Sequence, residues 1–276
     1  MVVPENGGAG LPCGYSMLPD KKKSTYELLF KTIKNKVGDI SKLTTIISDF
    51  EISVYSAVNT VFLGVVHKGC RYHHNAAVWR KLGDEGLHTL FYQSPSFQEV
   101  VYMLYALAYV PEDQVKPFYY DYIVPQIGEL SEKDEDWSDY EEELNSFGNY
   151  YLTTWIERRN RPALFNPELW NHYTTILNDG TQTNNMLESF NRTWNSLGGS
   201  KPNVWGILEL FVSQEADTRR KFLSNSVGQD MRTNTGKKQR SMNSRDRLKF
   251  LVQAFDTIPR PEYLQQIAHE LQRADT

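Results

Sequence analysis

The sequence predicts an α/β core followed by a mainly helical region. Three features of residues 46–80 predict the core: an apolar run that stops at Ser48-Asp49, an amphipathic stretch with apolar residues at helical spacing, and a β-branched, aromatic run from Val61 to Val66. A further helix is expected after residue 70. Strand, helix, strand and helix in this order are typical of a layered α/β core, which places its chemistry at strand ends. Asp49 is therefore the first candidate for a site residue.

The remaining elements follow from periodicity and turn residues. Strands are predicted near residues 11–18, 43–48 and 61–67, and helices dominate after residue 73. Element type and charge divide the chain into four parts: residues 1–95 with the α/β pattern, a helical region with its connector over 96–180, further helices over 181–223, and a basic tether with a C-terminal helix over 224–276.

Asp49 also has a purely structural interpretation. Ser48-x-x-Glu51 matches a capping box, in which Asp49 and Glu51 would be first-turn acids that complement a helix N-terminus. Ser24-x-x-Glu27 matches the same pattern at the start of an earlier helix. From these residues alone, both interpretations of Asp49 stay open.

Cys70-x-x-His73 has the spacing of half a zinc site. A structural zinc ion needs four ligands, and the only other cysteine is Cys13. His67 and His74 lie nearby in the sequence, but nothing pairs them at a second ligand-like spacing. A complete zinc site is therefore not expected.

Composition excludes several classes of protein. The chain has 276 residues, 40% of them hydrophobic, which suffices for one domain with an insertion. No run of eighteen apolar residues and no signal-peptide pattern occurs, and two distant cysteines suit a reducing compartment. We expect a nuclear or cytoplasmic protein with no membrane partner. The net charge of −4 does not by itself indicate a nucleic-acid binder.

The charge is unevenly distributed along the chain. An acidic block covers residues 129–143, whereas residues 219–249 are basic. The basic segment has two interpretations that stay open, a solvated linker or a surface that contacts phosphates through counterion release. The candidate DNA contacts in it are Arg219, Arg220, Lys237, Lys238 and Arg240.

Four motifs in a fixed order resemble one known family. SDFE at residues 48–51, GCRYHHNAAVWRKL from residue 69, LW-x-x-Y from residue 169 and TNNMLESFNRTWN from residue 183 are similar to the transposase domain of Mutator-like elements (MULE). The resemblance covers roughly residues 11–215. It implies a ribonuclease-H-like mixed sheet with a large all-helical insertion, and an Asp-Asp-Glu site for Mg²⁺ or Mn²⁺. It also implies DNA at transposon ends as the partner, with metal-dependent cleavage and strand transfer as the activity.

The resemblance assigns roles to individual residues. Asp49 matches the second catalytic carboxylate and Glu188 the third, both as metal ligands, whereas Cys70 and His73 match the C-x-x-H pair in a supporting role. Asn184 and Asn185 belong to the TNN motif that precedes the Glu. The chain departs from the family at Gln182, where an Arg is usual, and at Asn191, where a His is frequent. Asn185-x-x-Glu188 is also compatible with a helix cap.

No residue matches the first Asp of the family, since neither Glu5 nor Asp20 occupies the corresponding position. We therefore expect a sheet whose first strands are absent and whose open edge favours association with another chain. Two-metal phosphoryl transfer needs carboxylates that hold two ions, so we expect this polypeptide alone not to cut DNA. The alternative is a domesticated or truncated module that binds DNA or protein without catalysis.

Overall fold

The computed structural model describes residues 12–133, 135–182, 203–226 and 235–275, most of which are helical. The first elements form a βαβ unit flanked by two helices. In chain order they are α1 (Lys23–Val37), β1 (Thr45–Ser48), α2 (Ile52–Val61), β2 (Val66–Gly69) and α3 (Arg71–Asp84). β1 and β2 are parallel, in a register that runs from Thr45 opposite Val66 to Ser48 opposite Gly69. The predicted βαβ unit is present.

A small apolar core holds the βαβ unit together. Val58 and Val61 of α2 and the next residue, Phe62, are buried in it. Partly buried side chains from α1, β1, α2 and the loops complete the core: Phe30, Ile40, Leu43, Ile46, Val54 and Val65. Because hydrophobic stabilisation scales with the apolar area removed from water, so small a core contributes little. The unit therefore depends on packing against the rest of the chain.

The rest of the described chain forms a helical body with one short antiparallel strand pair. Its elements are α4 (His88–Gln93), α5 (Pro95–Ala106), α6 (Val115–Phe118), α7 (Val124–Lys133), α8 (Glu141–Tyr151), β3 (Glu157–Arg158), β4 (Arg161–Pro162), α9 (Pro167–Trp170), α10 (Tyr173–Leu177), α11 (Val204–Ser226), α12 (Thr235–Gln253) and α13 (Arg260–Asp275). Two π-helical turns, Tyr119–Ile123 and Leu152–Ile156, follow α6 and α8. None of the helices in the described ranges is long and apolar enough to cross a membrane.

A large core fills the helical body, and α13 packs along α5 at its centre. One face of α13 is buried there, through Tyr263, Leu264, Ile267, Ala268 and Leu271. The last helix of the chain is therefore an integral part of the body.

Two of the three predicted strands differ from the structure. Residues 12–18 have no regular secondary structure and pair with no strand among the described residues. The strand predicted over 61–67 begins later than expected, because Val61 ends α2 and β2 runs from Val66 to Gly69. Val58 and Val61 lie on one helical face in the small core, and Gly64 turns the chain with a φ of 80°. A β-branched run was thus divided between a helix, a turn and a strand.

The sheet is smaller than the family resemblance implies. In the described residues β1 pairs with β2 alone, and β3 with β4. The class is α/β with few strands and mostly helices, and a ribonuclease-H-like mixed sheet is not confirmed. Association through the second edge of β1 stays a prediction.

Both predicted capping boxes are wrong. Ser48 ends β1, and α2 begins at Ile52 after Glu51, without a side-chain cap. Ser24 lies inside α1, and Asp20 accepts hydrogen bonds near its start, from the backbone N–H of Lys22 and the hydroxyl of Thr25. Asp49 is therefore not a first-turn acid of α2, which removes the capping interpretation of its carboxylate.

Part of the predicted basic tether is helical, whereas the sequence predicted a flexible segment. α11 continues to Ser226, and α12 begins at Thr235. Residues 235–244, which the composition assigned to the tether, are thus helical.

Candidate metal and DNA site

Asp49 and Cys70 lie just past the carboxyl ends of two neighbouring parallel strands. Asp49 follows β1 and Cys70 follows β2, and the register pairs the last residues of the two strands, Ser48 and Gly69. The side chain of Asp49 is 57% exposed. A solvent-facing carboxylate at this edge of a parallel sheet is the usual position for ligand chemistry.

His73 is the nearest ionisable partner of Asp49. Its Nδ1 atom lies 3.1 Å from Oδ1 of Asp49, and its side chain is 31% exposed. His73 belongs to the first turn of α3, where the helix dipole favours a nearby negative charge. The C-x-x-H histidine thus contacts the predicted metal ligand and orients its carboxylate.

Cys70 has a structural position. It is fully buried, and its backbone N–H donates to the carbonyl of Ser48 at 2.9 Å. Its own carbonyl accepts from the N–H of His74 at 3.1 Å, which makes Cys70 the junction between β1 and α3. Among the described residues, no three His, Cys, Asp or Glu side chains could hold one metal ion together.

Phe50, the residue after Asp49, belongs to an aromatic cluster. The ring of Phe50 meets Trp155 edge-on at 4.9 Å and Phe165 at 5.2 Å. His74 stacks on Trp170 at 5.0 Å and meets Trp155 edge-on at 4.5 Å. The cluster joins the βαβ unit to the helical body and fixes the residue next to Asp49. The sequence did not predict this cluster, because its members are up to 120 residues apart and no periodicity links them.

Gly69 makes this arrangement possible. A Cβ atom at Gly69 would lie 2.3 Å from Cζ of Phe50, closer than real Cβ contacts come. A glycine at the end of β2 is therefore required for the ring of Phe50 to reach Trp155 and Phe165. The one sequence signal was a glycine directly before the C-x-x-H motif.

Three buried histidines lie in and next to the βαβ unit. Burial lowers the pKa of His67 to about 4 and that of His74 to about 4. Burial, assisted by the charges of Arg71 and Lys68, lowers the pKa of His172 to about 3. All three are neutral at pH 7. His67 is also hydrogen-bonded to the Ser48 hydroxyl at 2.8 Å, next to Asp49.

The chain returns to this edge of the sheet immediately before the TNN motif. The N–H of Arg71 donates to the carbonyl of Gln182 at 3.0 Å, and the Tyr109 hydroxyl donates to Oε1 of Gln182 at 2.8 Å. Gln182 is the residue at which the chain departs from the family pattern. The predicted ligand Glu188 and the motif residues Asn184 and Asn185 lie outside the described residues.

The DNA-contact candidates are only partly described. Arg219 and Arg220 are exposed on α11, and Arg220 lies 3.5 Å from Asp217. Lys237, Lys238 and Arg240 belong to the first half of α12, but their side chains lie outside what the structure describes. The structure brings Asp49, Cys70 and His73 together at the ends of β1 and β2. The phosphate contacts stay a prediction.

Residues 1–77 match the family model described as the MULE transposase domain. Over these residues the resemblance to the MULE transposase domain is confirmed, and the matched segment contains Asp49, Cys70 and His73. No curated protein and no solved structure matches the chain.

The contact between Gly69 and Phe50 gives a stability prediction. We expect Gly69→Ala to lower the free energy of unfolding by about 1–3 kcal/mol, because the new methyl group displaces the Phe50 ring. Urea unfolding followed by tryptophan fluorescence measures this. Gly148→Ala is the control, since its Cβ would meet no atom within 4 Å inside α8. It should stabilise the protein by about 0.5–1 kcal/mol.

The same substitution in a Phe50→Leu background shows whether the Phe50 ring causes the loss of stability. With a smaller side chain opposite Gly69, Gly69→Ala should lower the free energy of unfolding by less than it does in the wild-type protein. An equal loss of unfolding free energy in both backgrounds would show that the Phe50 ring is not its cause.

The buried histidines predict a pH dependence. Their folded pKa values of about 3–4 lie below the unfolded value of about 6.5. Below pH 6.5 the unfolded state therefore binds more protons, and stability falls as the pH drops towards 4. Each histidine contributes a slope of up to about 1.4 kcal/mol per pH unit.

Urea unfolding at pH 7 and pH 5 measures this slope. Carboxylates with lowered pKa values change the free energy of unfolding mainly below this pH range, so the histidines dominate the difference. His74→Phe keeps the ring stack on Trp170 and should reduce the slope, whereas His269→Phe at an exposed position should leave it unchanged. Equal stability of the wild-type protein at both pH values would refute the prediction.

Proposed function

We propose, from the MULE transposase match over residues 1–77, that the chain is a transposase-derived DNA-processing domain. In this proposal Asp49 and Glu188 are ligands of one divalent ion, Mg²⁺ or Mn²⁺, and the substrate is DNA. The observation that carries the proposal is the exposed Asp49 carboxylate at the carboxyl end of β1, oriented by His73 within the matched segment.

The described residues at this edge of the sheet supply one of the oxygen ligands that such an ion needs. Mg²⁺ prefers carboxylate and water oxygens and keeps several waters when it binds protein. Asp49 offers a carboxylate that needs little desolvation, because more than half of the side chain is exposed. Cys70 is buried in the junction below. Oxygen ligation of Mg²⁺ or Mn²⁺ suits the edge better than zinc held by the C-x-x-H pair.

Glu188 can reach Asp49 on grounds of covalent geometry. Gln182 is hydrogen-bonded to Arg71, the residue after Cys70, and Cys70 is hydrogen-bonded to Ser48. Glu188 follows Gln182 by six residues, which span at most about 20 Å. The strand ends that carry Asp49 thus lie within reach of the second proposed ligand.

Each of these residues has a separate role in the proposed function. Asp49 and Glu188 bind the ion, His73 orients Asp49, and Arg219, Arg220, Lys237, Lys238 and Arg240 contact DNA phosphates. The ion, when bound, supplies Lewis-acid activation of a phosphoryl oxygen or of water. Two carboxylates hold one ion, whereas two-metal transfer needs more. We therefore propose that the 276-residue polypeptide alone binds metal without cutting DNA.

One observation favours a second candidate function, a protein-binding module without catalysis. α11 exposes apolar side chains along one side, with Trp205 75%, Val212 70% and Leu208 37% exposed. Exposed apolar rows on a helix are typical of interaction surfaces. A domesticated transposase domain would keep such a surface after the loss of activity.

Mn²⁺ binding tests the proposed site. Electron paramagnetic resonance of free Mn²⁺ should show one weak site in the wild-type protein, and Asp49→Ala or Glu188→Ala should weaken it about 10-fold or more, that is by at least about 1.4 kcal/mol. Asp113→Ala, which removes an exposed carboxylate on the helical body, should leave the affinity unchanged.

Two results would contradict the proposal. Equal Mn²⁺ affinity of wild-type protein and Asp49→Ala would remove Asp49 from the site. Magnesium-dependent nicking of supercoiled DNA that disappears in Asp49→Ala would show that the polypeptide is catalytically competent by itself.

A further inference from the structure

Ser48, His67 and Asn59 form a hydrogen-bonded network beside Asp49. Nε2 of His67 lies 2.8 Å from Oγ of Ser48, and Nδ1 of His67 lies 3.3 Å from Oδ1 of Asn59. Ser48 ends β1, His67 belongs to β2 and Asn59 belongs to α2. The network therefore joins all three elements of the βαβ unit.

The register of the two strands explains why these side chains meet. Ile46 lies opposite His67, and Ser48 follows Ile46 by two positions on β1. Because side chains alternate along a strand, Ser48 and His67 lie on the same face of the sheet. On that face the ring of Tyr55 on α2 stacks on the ring of His67 at 5.5 Å. His67 is thus buried between strand and helix, with a partner for each ring nitrogen.

The network determines which nitrogen of His67 carries the proton. Burial lowers the pKa of His67 to about 4, so the ring is neutral at pH 7 and has a single N–H. Oδ1 of Asn59 only accepts hydrogen bonds, and the ring proton therefore belongs on Nδ1. Nε2 then accepts from the hydroxyl of Ser48. The Asp49 carbonyl oxygen lies 3.0 Å from the same hydroxyl, which has one proton and serves one acceptor at a time.

Ser48 is tied to β2 at two points. Its backbone carbonyl accepts from the N–H of Cys70 at 2.9 Å, and its side chain donates to His67. Phe50, on the other side of Asp49, is fixed by its packing in the aromatic cluster. The exposed Asp49 carboxylate thus projects from a backbone that is held at the residue before it and at the residue after it.

We propose that His67, fixed as its Nδ1–H tautomer by Asn59, is a positioning residue that holds Ser48 and with it the backbone of Asp49. Without His67 the Ser48 hydroxyl turns to the Asp49 carbonyl, and the end of β1 loses one of its two ties to β2. Residues that orient a metal ligand without touching the metal typically contribute 10–100-fold to metal affinity. The metal-binding consequence rests on the proposed function, whereas the hold on Ser48 does not.

The tautomer is tested by nuclear magnetic resonance of ¹⁵N-histidine-labelled protein at pH 7. We expect Nδ1 of His67 to be the protonated nitrogen, with the His67 signals identified by their loss in His67→Phe. Asn59→Leu removes the acceptor and should move the proton to Nε2, where the Ser48 oxygen can accept it. A wild-type His67 that is protonated on Nε2 would overturn the assigned tautomer.

Hydrogen exchange of the Cys70 N–H tests the hold on Ser48 without metal. Ser48→Ala, and His67→Phe with its ring stack on Tyr55 kept, should each speed this exchange about 10-fold, since the Ser48 carbonyl that accepts the N–H is less firmly held. Ser48→Thr retains a hydroxyl and should keep the wild-type rate.

The matched control is Thr60→Val, which removes an α2 hydroxyl that donates to the Ser56 carbonyl outside the network. It should leave the exchange of the Cys70 N–H unchanged. If Ser48 and His67 act through one hydrogen bond, the double variant should exchange no faster than either single variant. Wild-type exchange in both single variants, or additive effects in the double variant, would overturn the proposal.

Mn²⁺ binding to the same variants separates this proposal from the proposed function. Ser48→Ala and His67→Phe should weaken Mn²⁺ binding about 10-fold, and Ser48→Thr and Thr60→Val should not. Wild-type protein that binds no Mn²⁺ would reject the metal site, and the exchange rates would still decide whether His67 holds Ser48. Faster exchange with unchanged Mn²⁺ affinity would overturn the positioning of the Asp49 carboxylate by His67.

Discussion

The packing of Phe50 across Gly69 is the contact on which the candidate site depends. The small core of the βαβ unit contains only three buried residues, Val58, Val61 and Phe62, so the unit depends on packing against the helical body. Phe50 inserts its ring between the unit and the helical body, against Trp155 and Phe165. The same contact holds the backbone at Asp49, the adjacent residue. Stability of the unit and placement of the carboxylate therefore share one cause.

The site combines an exposed polar layer with a buried aromatic layer. Asp49 and His73 face solvent, whereas the neighbouring residues Phe50 and His74 are packed against tryptophans below. The buried His74 is kept neutral by the same burial that makes it a good packing surface. Gln182 then brings the chain back to this edge of the sheet through its hydrogen bond with the N–H of Arg71. Segments from four distant parts of the sequence thus meet at the ends of two four-residue strands.

Local patterns in the sequence predicted the βαβ unit and the position of Asp49 at a strand end. They failed where local signals were ambiguous. Val61 was assigned to a strand because a β-branched residue suits both a strand and a buried helix end, and Ser48 matched a capping box although it pairs in β1. The support of the site was not predictable at all. Phe50 meets Trp155 across 105 positions, a separation at which composition and periodicity carry no information.

The proposal that Asp49 and Glu188 bind one divalent ion together can be tested by anomalous diffraction from crystals of the full chain soaked in Mn²⁺. We expect one strong anomalous peak within coordinating distance of a carboxylate oxygen of both residues, with His73 still beside Asp49. A peak that Asp49 does not ligate, or an ion at Asp49 from which Glu188 is remote, would contradict it.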